Sequence, residues 1–134
     1  MLHKINHIGI AVQSIEATLP FYRDQLCMAF LGSEEVAEQK VRVAMLCIGE
    51  SKIELLEPTS ADSPVAKFLE KSGQGIHHIA YEVENIEAAI AKMISEGARM
   101  IDEKPRLGAH DTLIAFVHPK SSHGVLTELC QPGH

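Results

Sequence analysis

Basic residues are scarce in this chain of 134 residues. Twelve Lys and Arg stand against 18 Asp and Glu, which gives a formal net charge of −6. The basic residues are scattered along the sequence and form no run. Because a phosphate-binding face needs clustered Lys and Arg, this distribution argues against nucleic acid as a partner.

A long hydrophobic run is also absent. No uninterrupted apolar stretch is longer than the one that covers residues 43–48, which is far below the roughly 20 residues that a membrane-spanning helix needs. The N-terminal sequence MLHKINH has no apolar stretch of the kind that a secretory signal contains. We therefore expect no membrane partner and no secretion.

Cysteine is sparse as well. Cys27, Cys47 and Cys130 are odd in number and widely spaced, which is typical of reduced thiols in a cytosolic protein rather than of a disulfide framework or a Cys-rich zinc site. The sequence therefore predicts a cytoplasmic protein. We expect at least two of the three to be buried structural residues.

What the chain does contain is an ordinary globular balance, with 46% apolar and 22% charged residues. The length suits one domain, which we take to span residues 1–134.

The sequence is repeated internally. HIGIAVQSIEATL, which starts at His7, matches HIAYEVENIEAAI, which starts at His78, at an offset of 71 residues. IELLEP, at residues 53–58, matches TELCQP, at residues 127–132, at an offset of 74. Repeats of this kind indicate one structural unit used twice.

Each copy has the same order of signals. A strand is predicted at residues 7–12 and again at 78–83, and further strands at 40–48, 52–57, 112–118 and 124–130. A helix follows the first strand of each copy, with Ser14 or Asn85 as its N-cap and Glu16 or Glu87 in its first turn. The expected apolar stripes of these helices are Ile15, Leu19, Tyr22 and Leu26 in the first copy and Ile86, Ile90, Met93 and Ile94 in the second.

Two further signals bound the helices. Gly97 suits a left-handed cap at the end of the second helix. Ser63-Pro64 predicts the start of a short linker helix, which Gly73 and Gly75 close.

These elements predict an α+β fold. Module one covers about residues 1–58, a linker helix about 59–75, and module two about 76–134. Each module reads β-α-β-β-β and is too small to bury a sheet face alone. We therefore expect the two modules to form a curved, incomplete eight-stranded barrel around a metal-containing cleft.

Four chemically distinctive residues lie at matched positions of the repeat. His7 and His78 open the first predicted strand of each module, and Glu54 and Glu128 lie midway along the last. A single strand histidine is usually structural, and a single Glu is usually solvent-facing. However, an ionised Glu between apolar neighbours is costly to bury unpaired, and the pattern occurs twice. Two imidazoles and two carboxylates suit Zn²⁺, Co²⁺, Ni²⁺, Mn²⁺ or Fe²⁺.

We therefore predict one divalent metal ion bound by His7, Glu54, His78 and Glu128. Co²⁺ or Zn²⁺ is expected first, with Mn²⁺ or Ni²⁺ as alternatives, and the donor set leaves the identity open. The other histidines have other expected roles: His77 is structural on the opposite sheet face, His118 is a turn residue, His110 and His123 lie in loops that could border the cleft, and His3 and His134 are terminal and solvated.

The motifs HIGIAV, IELLEP, GIHHIAYEV, RLGAH and FVHPKSSHGVLTEL resemble those of methylmalonyl-CoA epimerases, which belong to the vicinal oxygen chelate superfamily. The resemblance covers nearly the whole chain. It implies a paired β-α-β-β-β fold, metal ligands at His7, Glu54, His78 and Glu128, an acyl-CoA substrate and a homodimer. The implied activity is that of an isomerase, which interconverts the two epimers of methylmalonyl-CoA by α-proton transfer through a metal-stabilised enolate.

One position departs from the pattern of that family. Some members have a catalytic glutamate on the second strand, where this chain has Val43. We expect Glu128 to act as one base and Glu54 as the other, while the alternative is that both are only ligands and a water or a loop group moves the second proton. For the phosphates of coenzyme A the candidate cations are Lys104, Arg106 and Lys120, although a role as solvated surface residues is the simpler explanation for each.

Three rival functions remain open at this point. Glyoxalase I, an isomerase of the same superfamily, often uses a His, Glu, His, Glu ligand set, but the RLGAH and HPKSSHGVLTEL motifs favour the epimerase. A non-enzymatic binding protein generally lacks the four ligands. An iron dioxygenase usually has two His and one carboxylate, which leaves Glu54 unexplained.

Overall fold

The structure is a computed structural model that describes residues 1–133; His134, which we expected to be solvated, lies outside the described residues. The strands are β1 Leu2–Ala11, β2 Ala29–Val36, β3 Val41–Ile48, β4 Ser51–Pro58, β5 Gly75–Val83, β6 Arg106–Leu107, β7 Leu113–Val117 and β8 Thr127–Gln131. The helices are α1 Ile15–Leu19, α2 Pro64–Ser72 and α3 Ile86–Ser95.

The chain divides into two compact units. The first, which we call the N-terminal unit, is His7–His77; the second, the C-terminal unit, combines Met1–Asn6 with the residues from His78 onward. The strand order is β2-β3-β4-β1 in the one and β5-β8-β7-β6 in the other. In both, the first and last strands are parallel and the remaining pairs antiparallel. The predicted α+β class and the two β-α-β-β-β modules are confirmed.

Two details of the strands differ from the prediction. The first strand of each module begins earlier than residues 7 and 78, so His7 and His78 lie inside β1 and β5 rather than at their starts. The strands β2 and β6 were required by the module pattern but had not been located. Both are edge strands. Because β2 is largely exposed, its sequence lacks the alternation of apolar and polar residues that marks a half-buried strand.

The predicted helix caps are confirmed. Ser14 Oγ accepts a hydrogen bond from Ala17 N at 3.1 Å, and Asn85 Oδ1 accepts one from Ala88 N at 3.0 Å. Gly97, at φ 92°, ends α3 with its N–H donated to Ile94 O. The linker helix α2 starts after Ser63 and ends at Gly73.

The apolar stripes are only partly as predicted. Ile15, Leu19 and Tyr22 pack in the core beside α1, but Leu26 is half exposed. The reason is a π-helical stretch, Pro20–Gln25, that follows α1 and changes the angle between successive side chains. In α3, Ala89 rather than Ile94 completes the buried face with Ile86, Ile90 and Met93.

The cysteines are thiols within the described residues, as predicted. The prediction that at least two of them are buried was wrong, however, because only Cys130 is buried among the three, while Cys47 is intermediate and Cys27 is exposed. Cys27 also has a left-handed backbone conformation, with φ 63°. Among the described helices, none combines the length and the apolarity needed to cross a membrane.

Candidate metal centre

The four-stranded sheet of the N-terminal unit has two distinct faces. Helix α1 covers one face, where Ala44, Leu46 and Leu55 are buried against it. The opposite face, which we call the site face, contains Glu54, because side chains alternate along a strand. Gly9 on β1 and Met45 on β3 are the cross-strand partners of Glu54.

His7 and Glu54 meet on this site face. Their residues are 5% and 8% exposed, and His7 Nδ1 lies 3.2 Å from Glu54 Oε2. Gly9, directly opposite Glu54, presents no side chain beside the carboxylate. The first two predicted ligands are therefore buried together.

The C-terminal unit repeats this arrangement. Glu128 on β8 has Ala80 of β5 on one side and Phe116 of β7 on the other. Ala80 corresponds to Gly9, and Phe116 corresponds to Met45, at the offset of 71 residues found in the sequence repeat. The register of the strands therefore reproduces the repeat residue by residue.

His78 and Glu128 form the second pair. His78 Nε2 lies 3.2 Å from Glu128 Oε1, and both residues are 4% exposed. The ring of Phe116 packs edge-on against the His78 imidazole, with 5.5 Å between ring centroids. A different imidazole nitrogen faces the carboxylate in each unit, Nδ1 in His7 and Nε2 in His78.

Arg106 on β6 contacts Phe116, the neighbour of His78. Its guanidinium lies over the Phe116 ring, 5.7 Å from the centroid, and its Nε is 3.1 Å from Asp102 Oδ1. The other oxygen of Asp102 accepts a hydrogen bond from Phe116 N at 2.9 Å. Of the three predicted cations, Arg106 is therefore held by the protein, whereas Lys104 and Lys120 are exposed.

Cys130 is a neighbour of the site that the sequence analysis missed. It lies two residues after Glu128 on β8, so both side chains lie on the same face. The Cys130 Sγ is within 4.8 Å of a Glu128 carboxylate oxygen. Its spacing from Glu128 is a signal for it in the sequence, but the repeat does not reveal it, because the residue of IELLEP that matches Cys130 is Leu56.

The donor atoms fit a divalent metal ion. Burial of a carboxylate costs free energy unless the carboxylate is paired or coordinates a metal. Each unit places one buried carboxylate beside an imidazole nitrogen. Imidazole nitrogen and carboxylate oxygen are borderline donors that first-row divalent ions accept. Val43, where the sequence resemblance implies a glutamate in some relatives, lies on β3 rather than on the second strand; it is buried and has Leu56 and Glu34 as its cross-strand partners.

The other histidines have separate surroundings. The His77 ring packs edge-on against Phe68 of α2 at 4.9 Å, in keeping with a structural role. His118 lies in a turn, where its Nδ1 accepts a hydrogen bond from Lys120 N at 3.0 Å. Desolvation, followed by the charges of Arg99 and Lys120, lowers the pKa of His118.

The other described histidines, His3, His110 and His123, are exposed. His110 and His123 are exposed and adopt left-handed backbone conformations, with φ of 53° and 58°. His3 lies 3.8 Å from Glu82, which also accepts a hydrogen bond from Asn6 at 2.8 Å.

Comparison with known proteins gives consistent matches. A Bacillus subtilis protein named as uncharacterized YqjC is 47% identical over 98% of this chain and 94% of its own length. The ethylmalonyl-CoA/methylmalonyl-CoA epimerase of Cereibacter sphaeroides is 41% identical, with 98% of this chain and 99% of that protein covered. Among solved structures, a Streptomyces coelicolor methylmalonyl-CoA epimerase in complex with 2-nitronate-propionyl-CoA matches at a TM-score of 0.96 and 42% identity, over 99% of this chain and 96% of the other.

The family is established by a match over most of the chain. Residues 6–116 match the Glyoxalase/Bleomycin resistance protein/Dioxygenase superfamily, and the Cereibacter sphaeroides and Streptomyces coelicolor proteins above are epimerases, which are isomerases. The resemblance read from the sequence motifs is thereby confirmed. The chain belongs to the Glyoxalase/Bleomycin resistance protein/Dioxygenase superfamily, and the relatives that match nearly its whole length include methylmalonyl-CoA epimerases.

Proposed function

We propose that this protein is a metal-dependent epimerase that interconverts the two epimers of methylmalonyl-CoA. The observation that carries the proposal is the buried histidine–glutamate pair that occurs once in each unit, with the same 3.2 Å separation. The epimerases that match nearly the whole chain support the reaction and the acyl-CoA substrate.

The proposed ligands of one divalent ion are His7, Glu54, His78 and Glu128. When bound, the ion supplies a Lewis acid that stabilises the enolate by several kcal/mol. The protein contributes the rest: it buries the four donors, fixes their imidazole and carboxylate orientations, and keeps apolar neighbours such as Met45 and Phe116 around them. Co²⁺ or Zn²⁺ remains the first expectation.

Glu128 and Glu54 are the proposed bases. Epimerisation removes a proton from one side of the α-carbon and returns one to the other side, so two groups are the simplest solution. A positioned carboxylate contributes about 10²–10⁴-fold to such a transfer. Each of the two is supplied by a different unit of the repeat.

Arg106 is the proposed cation for an anionic group of the acyl-CoA. Arginine suits phosphate and carboxylate because its planar guanidinium offers several donors, and Asp102 and Phe116 restrain it before substrate binds. The expected homodimer and the cytoplasmic location remain predictions; size-exclusion chromatography with light scattering checks the first.

The test of the function is an epimerisation assay. Metal-stripped protein and protein reloaded with Co²⁺, Zn²⁺, Mn²⁺ or Ni²⁺ are incubated with one epimer of methylmalonyl-CoA in deuterated solvent. We expect metal-dependent epimerisation with deuterium at the α-carbon and no net redox change. Failure to interconvert the epimers with any of the four ions would refute the proposal, and turnover of a glutathione-methylglyoxal adduct instead would identify a glyoxalase.

The Glu54→Gln variant tests the role of Glu54 as a base. An amide oxygen still coordinates a metal but does not carry the proton. We therefore expect the variant to bind metal and to exchange the α-proton of one epimer with deuterium, while barely interconverting the two. Near-normal epimerisation would mean that Glu54 is a ligand alone.

A further inference from the structure

Arg106 lies on the same sheet face as the His78–Glu128 pair. On β6 it is the cross-strand partner of Ile114 of β7. Ile114 is two residues before Phe116, and Phe116 is the cross-strand partner of Glu128, so the alternation of side chains along each strand puts them on one face. Among the described residues of strands β5 to β8, Arg106 is the one Lys or Arg.

A tight turn fixes the position of Arg106. Strand β6 has two residues, and the turn after it contains a hydrogen bond from Gly108 N to Thr112 O at 2.8 Å. A Cβ atom at Gly108 would lie 2.8 Å from Ile114 Cγ2, so the turn packs directly against the residue that pairs with Arg106. The backbone of Arg106 is therefore held beside β7.

The guanidinium of Arg106 is held on one side and accessible on the other. Its Nε atom is buried, 3.1 Å from Asp102 Oδ1, and its central carbon lies over the Phe116 ring, 5.7 Å from the centroid. The two Nη atoms donate no hydrogen bond to any described residue, and the side chain is 39% exposed. These two atoms are therefore available to a ligand.

Asp102 connects this guanidinium to the backbone of β7. Its second oxygen, Oδ2, accepts a hydrogen bond from Phe116 N at 2.9 Å, and Asp102 N donates one to Phe116 O at 3.2 Å. The Asp102 side chain is only 16% exposed. Arg106 is thus oriented before a ligand binds, which lowers the entropy cost of binding.

An acyl-CoA offers two kinds of anion to this guanidinium, the free carboxylate of a malonyl-type acyl group and the phosphates of coenzyme A. The distances favour the carboxylate. The Phe116 ring centroid is 5.5 Å from that of His78 and 5.7 Å from the guanidinium carbon, so one aromatic ring separates Arg106 from a proposed metal ligand. The carboxylate is bonded to the α-carbon that reacts there, whereas the phosphates lie at the far end of the pantetheine arm.

We infer that Arg106 binds the free carboxylate of the substrate and selects malonyl-type esters over acyl-CoA esters that lack a second carboxyl group. Asp102 is its positioning residue. A guanidinium suits this role because it binds a carboxylate through two parallel hydrogen bonds. The inference rests on the proposed epimerase function, and it assigns to the acyl group a cation that the sequence suggested for the phosphates.

The test compares the binding of two esters to metal-loaded protein by isothermal titration calorimetry. Methylmalonyl-CoA and propionyl-CoA share the whole coenzyme and differ in the free carboxylate, and epimerisation leaves the total concentration of methylmalonyl-CoA unchanged. We expect Arg106→Gln to raise the Kd of methylmalonyl-CoA about ten- to hundredfold. The Kd of propionyl-CoA and the metal content should stay close to those of the wild type.

Arg99→Gln is the matched control. Arg99 belongs to the same unit and is exposed, so the variant loses the same charge and should bind both esters as the wild type does. An equal loss of methylmalonyl-CoA affinity in Arg99→Gln and Arg106→Gln would indicate a general effect of charge and would contradict the inference.

Asp102→Asn tests the positioning role. Asn keeps an oxygen that accepts from Phe116 N but removes the charge beside Arg106 Nε. We expect a rise in the Kd of methylmalonyl-CoA that is smaller than in Arg106→Gln, with propionyl-CoA unaffected. The double variant should be no worse than Arg106→Gln, because Asp102 acts through Arg106; additive losses would remove Asp102 from this role.

Two further results would overturn the inference. If Arg106→Gln weakened both esters equally, the guanidinium would contact a part that they share, such as a phosphate; if it weakened neither, Arg106 would not bind the substrate. Wild-type protein that binds methylmalonyl-CoA through Arg106 but does not epimerise it would refute the proposed function alone, so the two failures are distinguishable.

Discussion

At the scale of single residues, two adjacent histidines of β5 have opposite surroundings. His78 faces Glu128, while His77 packs on Phe68 of the linker helix. We expect His78→Ala to remove most of the bound metal and His77→Ala to leave the metal content nearly intact. Elemental analysis of both variants after metal loading checks this prediction, and equal losses would contradict the ligand assignment.

Stability should depend on pH through His118. The pKa of His118 lies below its ordinary value of 6.5, first because of desolvation and then because of Arg99 and Lys120. The unfolded chain therefore binds this proton more readily than the folded protein. The stabilisation is present above pH 6.5 and is lost as the pH falls through the lower pKa of the folded state.

The variant His118→Asn isolates this contribution. Asn keeps an acceptor for Lys120 N but has no titrating group. Urea unfolding at about pH 7.5 and about pH 5.5 should show a smaller loss of stability on acidification in the variant than in the wild type. Identical pH dependence of the two proteins would rule out the effect.

At the scale of elements, the last strand of each module braces the helix after the first strand. Glu57 Oε1 accepts a hydrogen bond from Ile15 N at 2.7 Å, and Gln131 Oε1 accepts one from Ile86 N at 2.9 Å. The two positions correspond at the offset of 74 residues. Each side chain thus satisfies a backbone N–H in the first turn of α1 or α3, which has no partner within its helix.

Replacing the brace should destabilise the protein. We expect Glu57→Ala to lower the free energy of unfolding by about 1–2 kcal/mol, and Glu57→Gln to lower it much less because the amide retains an acceptor. Chemical denaturation of the two variants gives the comparison. A loss in Glu57→Gln as large as in Glu57→Ala would mean that the carboxylate charge, rather than the hydrogen bond, is responsible.

Elements were predictable from the sequence where local chemistry determines them. Ser14 and Asn85 as caps, and Gly97 as a terminator, act within one helical turn, so their residue types identify them. The pairing of β2 with β3 shifts by one residue at Leu31, which forms a β-bulge. This bulge was not predictable, because one unpaired residue in an exposed strand does not change the hydrophobic pattern. The same limit applies to the π-helical stretch after Pro20, which moved Leu26 out of the predicted stripe.

At the scale of the whole molecule, the proposal that one ion binds four ligands makes a stoichiometric prediction. We expect wild-type protein to bind one divalent ion per chain. Because each ligand pair alone is an incomplete site, both His7→Ala and His78→Ala should lose nearly all of it. Equilibrium dialysis of the three proteins measures the stoichiometry. A loss of half the metal in each variant would instead indicate two independent sites.

The sequence repeat made the proposed ligand residues predictable, but the contacts between their side chains were not predictable. Matched positions in the sequence identify His7 with His78 and Glu54 with Glu128. Nothing in the sequence states which nitrogen faces the carboxylate, because that depends on side-chain rotation within each unit. The contact of Phe116 with His78 and that of Arg106 with Phe116 were likewise not predictable, since they depend on the pairing of β6, β7 and β8.

The division of strand β1 between the two units has a consequence for cleavage of the chain. Residues up to Asn6 belong to the unit that otherwise starts at His78, and Asn6 supplies a hydrogen bond to Glu82 there. Cleavage of the linker near Gly73 therefore does not separate the two units. The C-terminal fragment would lack residues 1–6 of its own unit, because they stay on the N-terminal fragment.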